Sequence, residues 1–408
     1  MKAYSLALVA LLLLIVPAIL PLISPVRASS VMWSKTYTGK PYETAESVIE
    51  TSDGGFVLAG WVWSPSGMML LKTDNLGKLE WKQTYGNGEI GHEKAYSVVE
   101  TSDGGYAVAG YTLVEDNDRD CWLVKTDAKG NMKWNRTYGG TKGDEAYSVI
   151  QTTDGGFALA GGTSSYSIGE CDFWLIKTNS QGKSEWRRTF GGTEWEKAYC
   201  LIETSDGGYA IAGVKQLGLI TAEGFWLVKT DAQGNMEWNQ TYAGEFAFSA
   251  SLVEATDGGY ALANAGLLIK TDANGVMEWN QTYPGLPIYS AKTSLVKTSD
   301  GGYALAGHES LIKTDAQGVV EWTQVYGGTI SHSIQSLIET SDGGYALAGY
   351  KGDYTDPFTH ADFWLIKTDE YGIIPEFPSW TSLLITLVAA VTVTICYRCM
   401  LRKQSEKN

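Results

Sequence analysis

The chain is poor in the residues that enzyme chemistry usually leaves in a sequence. Four histidines, His92, His308, His332 and His360, occur in 408 residues, with no His-Glu-x-x-His run and no pair at metal-binding spacing. There is no G-x-S-x-G elbow and no phosphate-cradling glycine loop. Positive charge is also scarce: 31 Lys and Arg stand against 46 Asp and Glu, a net charge of −15. Such a field repels phosphate backbones and argues against DNA or RNA as a partner. Pro 10 is too few for a low-complexity stalk. Of the five cysteines, Cys396 and Cys399 lie near the C-terminus, and Cys121, Cys171 and Cys200 cannot all pair within one chain. A zinc site at "CYRC" would need two further ligands, and residues 400–408 hold neither Cys nor His.

What is abundant is glycine (47 residues), aromatic content of 12% and repetition. The segment "TSDGGYALAG" at Thr340 has near copies at Thr51, Thr101, Thr152, Thr204, Ala255 and Thr298. Their aspartates, Asp53, Asp103, Asp154, Asp206, Asp257, Asp300 and Asp342, recur every roughly 42 to 52 residues, the period of four-stranded propeller blades. Within one unit, "AYSVIQTT" and "FALAGGT" flank a "DGG" turn, and "DFWLIKTN" and "KSEWRRTF" are joined by "SQG". Small sheets of this kind expose apolar faces unless they stack, and stacking in a ring leaves no long free edge. The expected fold is therefore all-β, a seven-bladed propeller spanning residues 29–373. The turn aspartates are expected to bond their own backbone amides, and the glycines of "D-x-x-G" to form left-handed corners.

Six tryptophans, Trp81, Trp134, Trp186, Trp238, Trp279 and Trp322, open a fourth strand, but the last unit stops at "LIKTDEYG". The missing strand stands at the other end, in "MWSKTY". A strand over 31–38 is thus expected to complete blade seven and close the ring.

The ends differ from the repeats. Residues 1–28, apolar and closing in "VRASS", read as a secretory signal, with an uncleaved anchor as the alternative. A linker over 374–380 precedes an apolar run over 381–397, about 17 residues or roughly 26 Å as a helix, with Trp380 and Tyr397 at its borders. Basic residues fill 398–408, so the tail is expected inside and the propeller outside as a single-pass surface protein. Pro375, Glu376 and Phe377, the apolar run and the basic tail resemble the PEF-type sorting signals of archaeal surface proteins. That resemblance implies removal of the tail by a sortase-like enzyme and attachment to the envelope; plain membrane anchoring is the other reading.

Variable segments follow the second strand of several units: Leu113 onward, Ser164 onward, Lys215 onward and Lys351 onward, while units five and six almost lack them. These loops share a face opposite the "DGG" turns, so a binding site is expected there, with Tyr166, Asp353, Tyr354 and Asp356 as candidate contacts. Asp116, Asp118 and Asp120 alternate like the start of a calcium loop, but Cys121 stands where glycine is wanted, so they read either as Ca²⁺ ligands or as a solvated acidic loop. Glu43 and Glu46, Asp144 and Glu145, and Glu194 and Glu196 could be acid-base pairs or solvated blade-edge acids. Asn135, Asn239 and Asn280 sit in N-x-T sequons on the fourth strand, glycosylation sites of an exported glycoprotein or mere template repetition.

The stretch "KTDAKGNMKW" and "TDNLGKLEW" resembles PQQ-like propeller repeats, a family in which the Trp docks between blades. The adjacent-cysteine disulfide and eight blades of its quinoprotein enzymes are not found here, which leaves the cofactor in doubt. The sequence discloses no reaction. It supports a surface-anchored binding or scaffold module for an envelope protein or glycan, without a cofactor beyond that calcium. The alternative is an extracellular glycan hydrolase, lyase or quinoprotein with its site at the central channel.

Overall fold

The computed structural model describes residues 32–374 apart from 40–41, 64–65, 87–92, 115–117, 217–222, 244–248, 285, 287–291, 328–330 and 353–360. The expected signal segment, the PEF-like motif, the apolar C-terminal run and His92 and His360 lie outside the described residues. Among the described residues, twenty-eight strands form seven four-stranded antiparallel sheets. Blade 1 is β2 (Glu43–Glu50), β3 (Phe56–Trp63), β4 (Ser66–Thr73) and β5 (Leu79–Tyr85), paired in that order. Blades 2 to 6 repeat the pattern through β25 (Val320–Val325). Blade 7 is β26 (Ser331–Glu339), β27 (Tyr345–Gly352) and β28 (Ala361–Lys367), and its outer position is taken by β1 (Trp33–Tyr37). Trp33 pairs with Lys367 and Tyr37 with Phe363, so the chain's first strand closes the ring as expected.

Adjacent blades are locked by one repeated contact. The outer-strand Trp of each blade lies on the turn glycine of the next blade: Trp33 on Gly77, Trp81 on Gly130, and so on to Trp322 on Gly372. A Cβ at these seven glycines would fall 2.5–2.8 Å from the indole, and each has positive φ. Glycine is thus demanded twice, by backbone conformation and by the ring stacked on it. Six of these carbonyls also accept a hydrogen bond from the tyrosine ending the previous blade, from Tyr37 on Gly77 to Tyr326 on Gly372, at 2.5–2.8 Å. Phe190 replaces that tyrosine between blades 3 and 4.

The first-turn aspartates do more than cap their own turns. Asp53 accepts the Gly55 amide and the Thr51 hydroxyl, and also the Nζ of Lys72, a residue buried on β4. All seven blades carry this Lys–Asp pair, at 2.7–2.9 Å. Burial raises the aspartate pKa, but the Thr, Lys and Gly hydrogen bonds overcome it and bring Asp53, Asp154, Asp206 and Asp300 down to about 2. On the same face, Ser52 donates to Glu100 of the next blade and Ser341 donates to Glu50, the last of these bonds crossing the closure.

Two expected outcomes follow from these contacts. Removing residues 30–40 takes away β1, its indole and the Tyr37 hydrogen bond, so the melting temperature should fall for the whole molecule; calorimetry showing an unchanged transition would contradict the closure. The clamped aspartates have folded pKa values below their unfolded value of about 3.9. Their contribution is therefore complete above about pH 4 and is lost as pH falls toward 2. Replacing Asp154 with Asn should lower the melting temperature at pH 6 while shrinking the further drop between pH 4 and pH 2, as read by circular dichroism melts.

Candidate ligand cleft over blades two to four

The inner strands position the site. In blades 1 to 4 and 7 the inner strand carries a bulge between the small residue and the one two positions on, as at Ala95/Ser97, Ala146/Ser148 and Ala198/Cys200. A bulge re-aims the extra side chain. Here that residue is Tyr96, Tyr147 or Tyr199, and the three rings follow one another along the channel wall. Tyr96 stacks on Tyr147 at 4.6 Å and Tyr147 meets Tyr199 edge-on at 4.9 Å. Other blades place Glu46, Ala250, Thr293 and Gln335 at this position, so the aromatic wall is confined to blades 2 to 4. Across the channel, Lys292 of blade 6 donates to the Glu46 carbonyl at 2.9 Å, and the Glu46 carboxylate accepts from Trp61.

Above the tyrosines, the residue preceding Ala-Tyr is Lys94, Glu145 and Lys197 in successive blades. Glu145 is nearly sealed from solvent and sits at the centre. It accepts from Arg119 at 2.6 Å and Lys197 at 3.1 Å, and from the Tyr147 hydroxyl. Burial pushes its pKa up, but Lys197, Tyr147 and Arg119 outweigh this and hold it below the usual carboxylate value. Arg119 lies over Tyr111 and Lys197 near Trp195, while Lys94 sits 3.8 Å from the centre of the Trp61 ring. Arg119, Glu145 and Lys197 line a cleft of about 440 Å³ whose walls also include Asp118, Ser164, Glu170, Cys171 and Trp195. It opens on the loop face, where variable segments were expected to build a site.

Adjacent acids separate because neighbours on a strand point to opposite sides. Glu145 faces the cleft, whereas Asp144 turns into the seam between blades 2 and 3, where one oxygen accepts from Gly140 N–H and Ser165. Its other oxygen has no hydrogen-bond partner, and Asp120 enters the same seam from blade 2. Glu196 does likewise between blades 3 and 4 with Asp172: a Cβ at Gly191 would lie 2.4 Å from Asp172 Oδ1 and 2.8 Å from Glu196 Oε2. The Gly-Gly pairs after the outer strands thus make room for buried carboxyls. Burial, together with the charges of Asp144 and Asp118, lifts Asp120 to about 6 despite Arg187. Asp172 and Glu196 are raised, chiefly by burial.

The residues singled out in the sequence fare unevenly. Asp116, Asp353, Tyr354 and Asp356 lie outside the described residues. Asp118 lines the cleft and Asp120 turns into the seam, so these two do not converge. Among the described residues no group of three or more His, Cys, Asp or Glu side chains is arranged to hold a metal ion. Tyr166 is 45% exposed, donates to the Gly139 carbonyl and rests against Trp174. Asn135, Asn239 and Asn280 are exposed on the outermost strands, although Asn135 and Asn239 accept from Trp122 and Trp226. Cys121, Cys171 and Cys200 are free, and burial pushes Cys171 up to about 11. Glu43 is held by Lys82, and His332 pairs with Glu309 at 2.9 Å. Arg119, Lys94, Lys197 and Trp195 were missed, although aligning the repeats on Ala-Tyr would have exposed the Lys, Glu, Lys alternation.

Comparison with family models and with curated protein sequences finds no match. Solved structures of similar shape include puromycin hydrolase, with a TM-score of 0.50 at 12% identity over 78% of this chain and 51% of that one. Sqt1 from Chaetomium thermophilum gives 0.48 at 8% identity over 83% and 100%, and a protein of unknown function from Bacteroides caccae 0.44 at 13% over 65% and 93%. At such identities the likeness concerns the fold alone.

The seam carboxyls set a pH dependence of opposite sign to that of the turn clamps. Asp120 has a folded pKa of about 6, above its unfolded value. The folded state therefore binds the extra proton, and stability rises as pH is lowered from 7 toward 5. Asp120→Asn should raise the melting temperature at pH 7.5 and flatten its slope between pH 7.5 and 5; an unchanged slope would show that the seam does not titrate there.

Proposed function

We propose that this protein is an envelope-anchored, non-enzymatic binding propeller that holds a neutral glycan at the cleft over blades 2 to 4. The cleft is the observation that carries this reading. At about 440 Å³ it lies within the range of small-ligand sites and accommodates one or two sugar rings. Its walls offer what a sugar uses: an indole face at Trp195, hydroxyls at Ser164, and both signs of charge at Arg119, Lys197, Asp118 and Glu170. A protein partner would favour a more apolar, charge-depleted centre. Glu145, pinned by two cations, fixes Arg119 and Lys197 in place as hydrogen-bond donors and is poorly suited to give up or take a proton. The acids beside it, Asp144 and Glu196, turn into seams instead of facing one another across the cleft.

Anchoring belongs to the same proposal. The apolar run over 381–397 and the basic residues after it hold the propeller outside the membrane, either as a span or through processing at the PEF-like motif. No helix among the described residues is long and apolar enough to cross a membrane. Calcium at the loop of Asp116, Asp118 and Asp120 is an adjunct that chelation would test, and the sequons remain candidate modification sites.

The test is calorimetric titration of the full chain in detergent with cello-, manno- and chito-oligosaccharides, with calcium and with chelator. One series should bind, and Trp195→Ala should weaken it at least about tenfold, or about 1.4 kcal/mol. Binding unaffected by both Trp195→Ala and Arg119→Ala would remove the cleft from consideration. Release of reducing ends would establish the enzyme reading instead.

A further inference from the structure

The face opposite the cleft carries a pattern that the propeller template does not require. In every blade the turn glycine under the Trp is followed by one residue before the outer-strand position begins. In blades 1 to 4 that residue is Lys78, Asn131, Lys183 and Asn235, all polar. In blades 5 to 7 it is Val276, Val319 and Ile373, exposed by 57%, 59% and 46%. Met277, Val320 and Tyr371 beside them are also exposed. Single exposed apolar residues are ordinary, and Leu76, Leu79, Met132 and Met236 are exposed beside this position in blades 1, 2 and 4, but only in three consecutive blades, 5 to 7, is the position itself apolar, which adds an apolar tip to each of those turns.

Both ends of the described chain leave from this face. Trp33 pairs with Lys367 just before the last turn and lies on Gly77 of the first blade's second turn, so Met32 emerges among the turns. Ile374 follows Gly372 directly, next to the apolar tips. From there the linker 374–380 leads to the apolar run at 381. Seven extended residues reach at most about 25 Å, which keeps the turn face, and blade 7 above all, close to whatever receives that run.

We infer that the turn tips of blades 5 to 7 are a lipid-docking surface. They rest on the membrane interface beside the anchor, and the cleft consequently points away from the membrane. This rests on the anchoring part of the proposed function. The lipid is zwitterionic: the net charge of −15 repels an anionic surface. Glu278 shares Lys270 with Asp257, and Glu321 shares Lys313 with Asp300, so the nearby charge is net acidic and the apolar tips are the attractive element.

The full chain, with Cys396→Ser and Cys399→Ser, is reconstituted in phosphatidylcholine vesicles after single substitution with an environment-sensitive label at Val276→Cys or Val319→Cys. Asn131→Cys and Lys183→Cys, on the far side of the ring, are the controls. Nitroxide lipids should quench the first pair at least about threefold more than the second. In a chain that also carries Ile373→Asn and the blade 1 to 4 residue at the other tip, the difference should collapse. Co-flotation with vesicles is measured first: a chain that does not float overturns the anchoring reading and this inference with it. A chain that floats with equal quenching at all four positions overturns the docking surface alone. Labels at 276 and 319 already shielded in detergent, together with a dimer by light scattering, would give the face to a second copy and overturn it too.

Discussion

The ring depends on one contact, an indole laid on a glycine. An open stack of four-stranded blades could splay or slip, because sheet-on-sheet packing of apolar side chains is not directional. The Trp of each blade seats on the next blade's turn glycine, and a tyrosine hydroxyl on the same glycine's carbonyl fixes the approach. The contact works only where the corner is left-handed and bears no side chain. That is why "D-x-x-G" is copied in each unit while the residues around it drift. The closure uses the same device: Trp33, from the chain's first strand, sits on Gly77 as its counterparts do elsewhere, so the seam between the ends is held by the same indole-on-glycine contact as the other six.

Repetition made most of this readable. The period of the aspartates counted the blades, and the missing Trp strand at one end with a surplus one at the other located the closure, because each absence could be measured against six intact copies. The turn aspartate was only half understood. Its Thr and Gly partners stand within two residues, but its lysine lies on β4, about twenty residues away in the longer blades, where nothing in a local turn rule points to it. The lysine of "LIKTD" and its counterparts is buried in every blade.

The cleft was legible as a face but not as a set of residues. The cleft lies on the face of the long loops, and the two-residue connections of blades 5 and 6, with Ala265 and His308 at positive φ, leave the rim low there. Its loops supply Asp118, Ser164, Glu170 and Trp195, but the ion-paired centre is Glu145 and Lys197 from the inner strands, beside the bulge, with Arg119 from the third strand of blade 2. A bulge depends on a register mismatch with the neighbouring strand, which composition does not announce. Glu145 and Lys197 also look like ordinary polar strand residues until the ring brings blades 2, 3 and 4 side by side and joins them with Arg119 in one ion-paired cluster.

Blade 3 ends up carrying most of the departures from the template. It alone supplies Glu145 to the cleft, it forms both acid-rich seams, and its Phe190 omits the tyrosine hydrogen bond to the following blade. Buried like-charged carboxyls disfavour the ionised state of both seams, and the missing Phe190 hydroxyl removes a tie at one of them. The other blades, tied by complete Trp, Tyr and Lys contacts, hold this one in position from both sides. A ring distributes such a load because every blade has two neighbours and no free edge. The cleft is consequently built where the scaffold is locally least satisfied, supported by six units that follow the template closely.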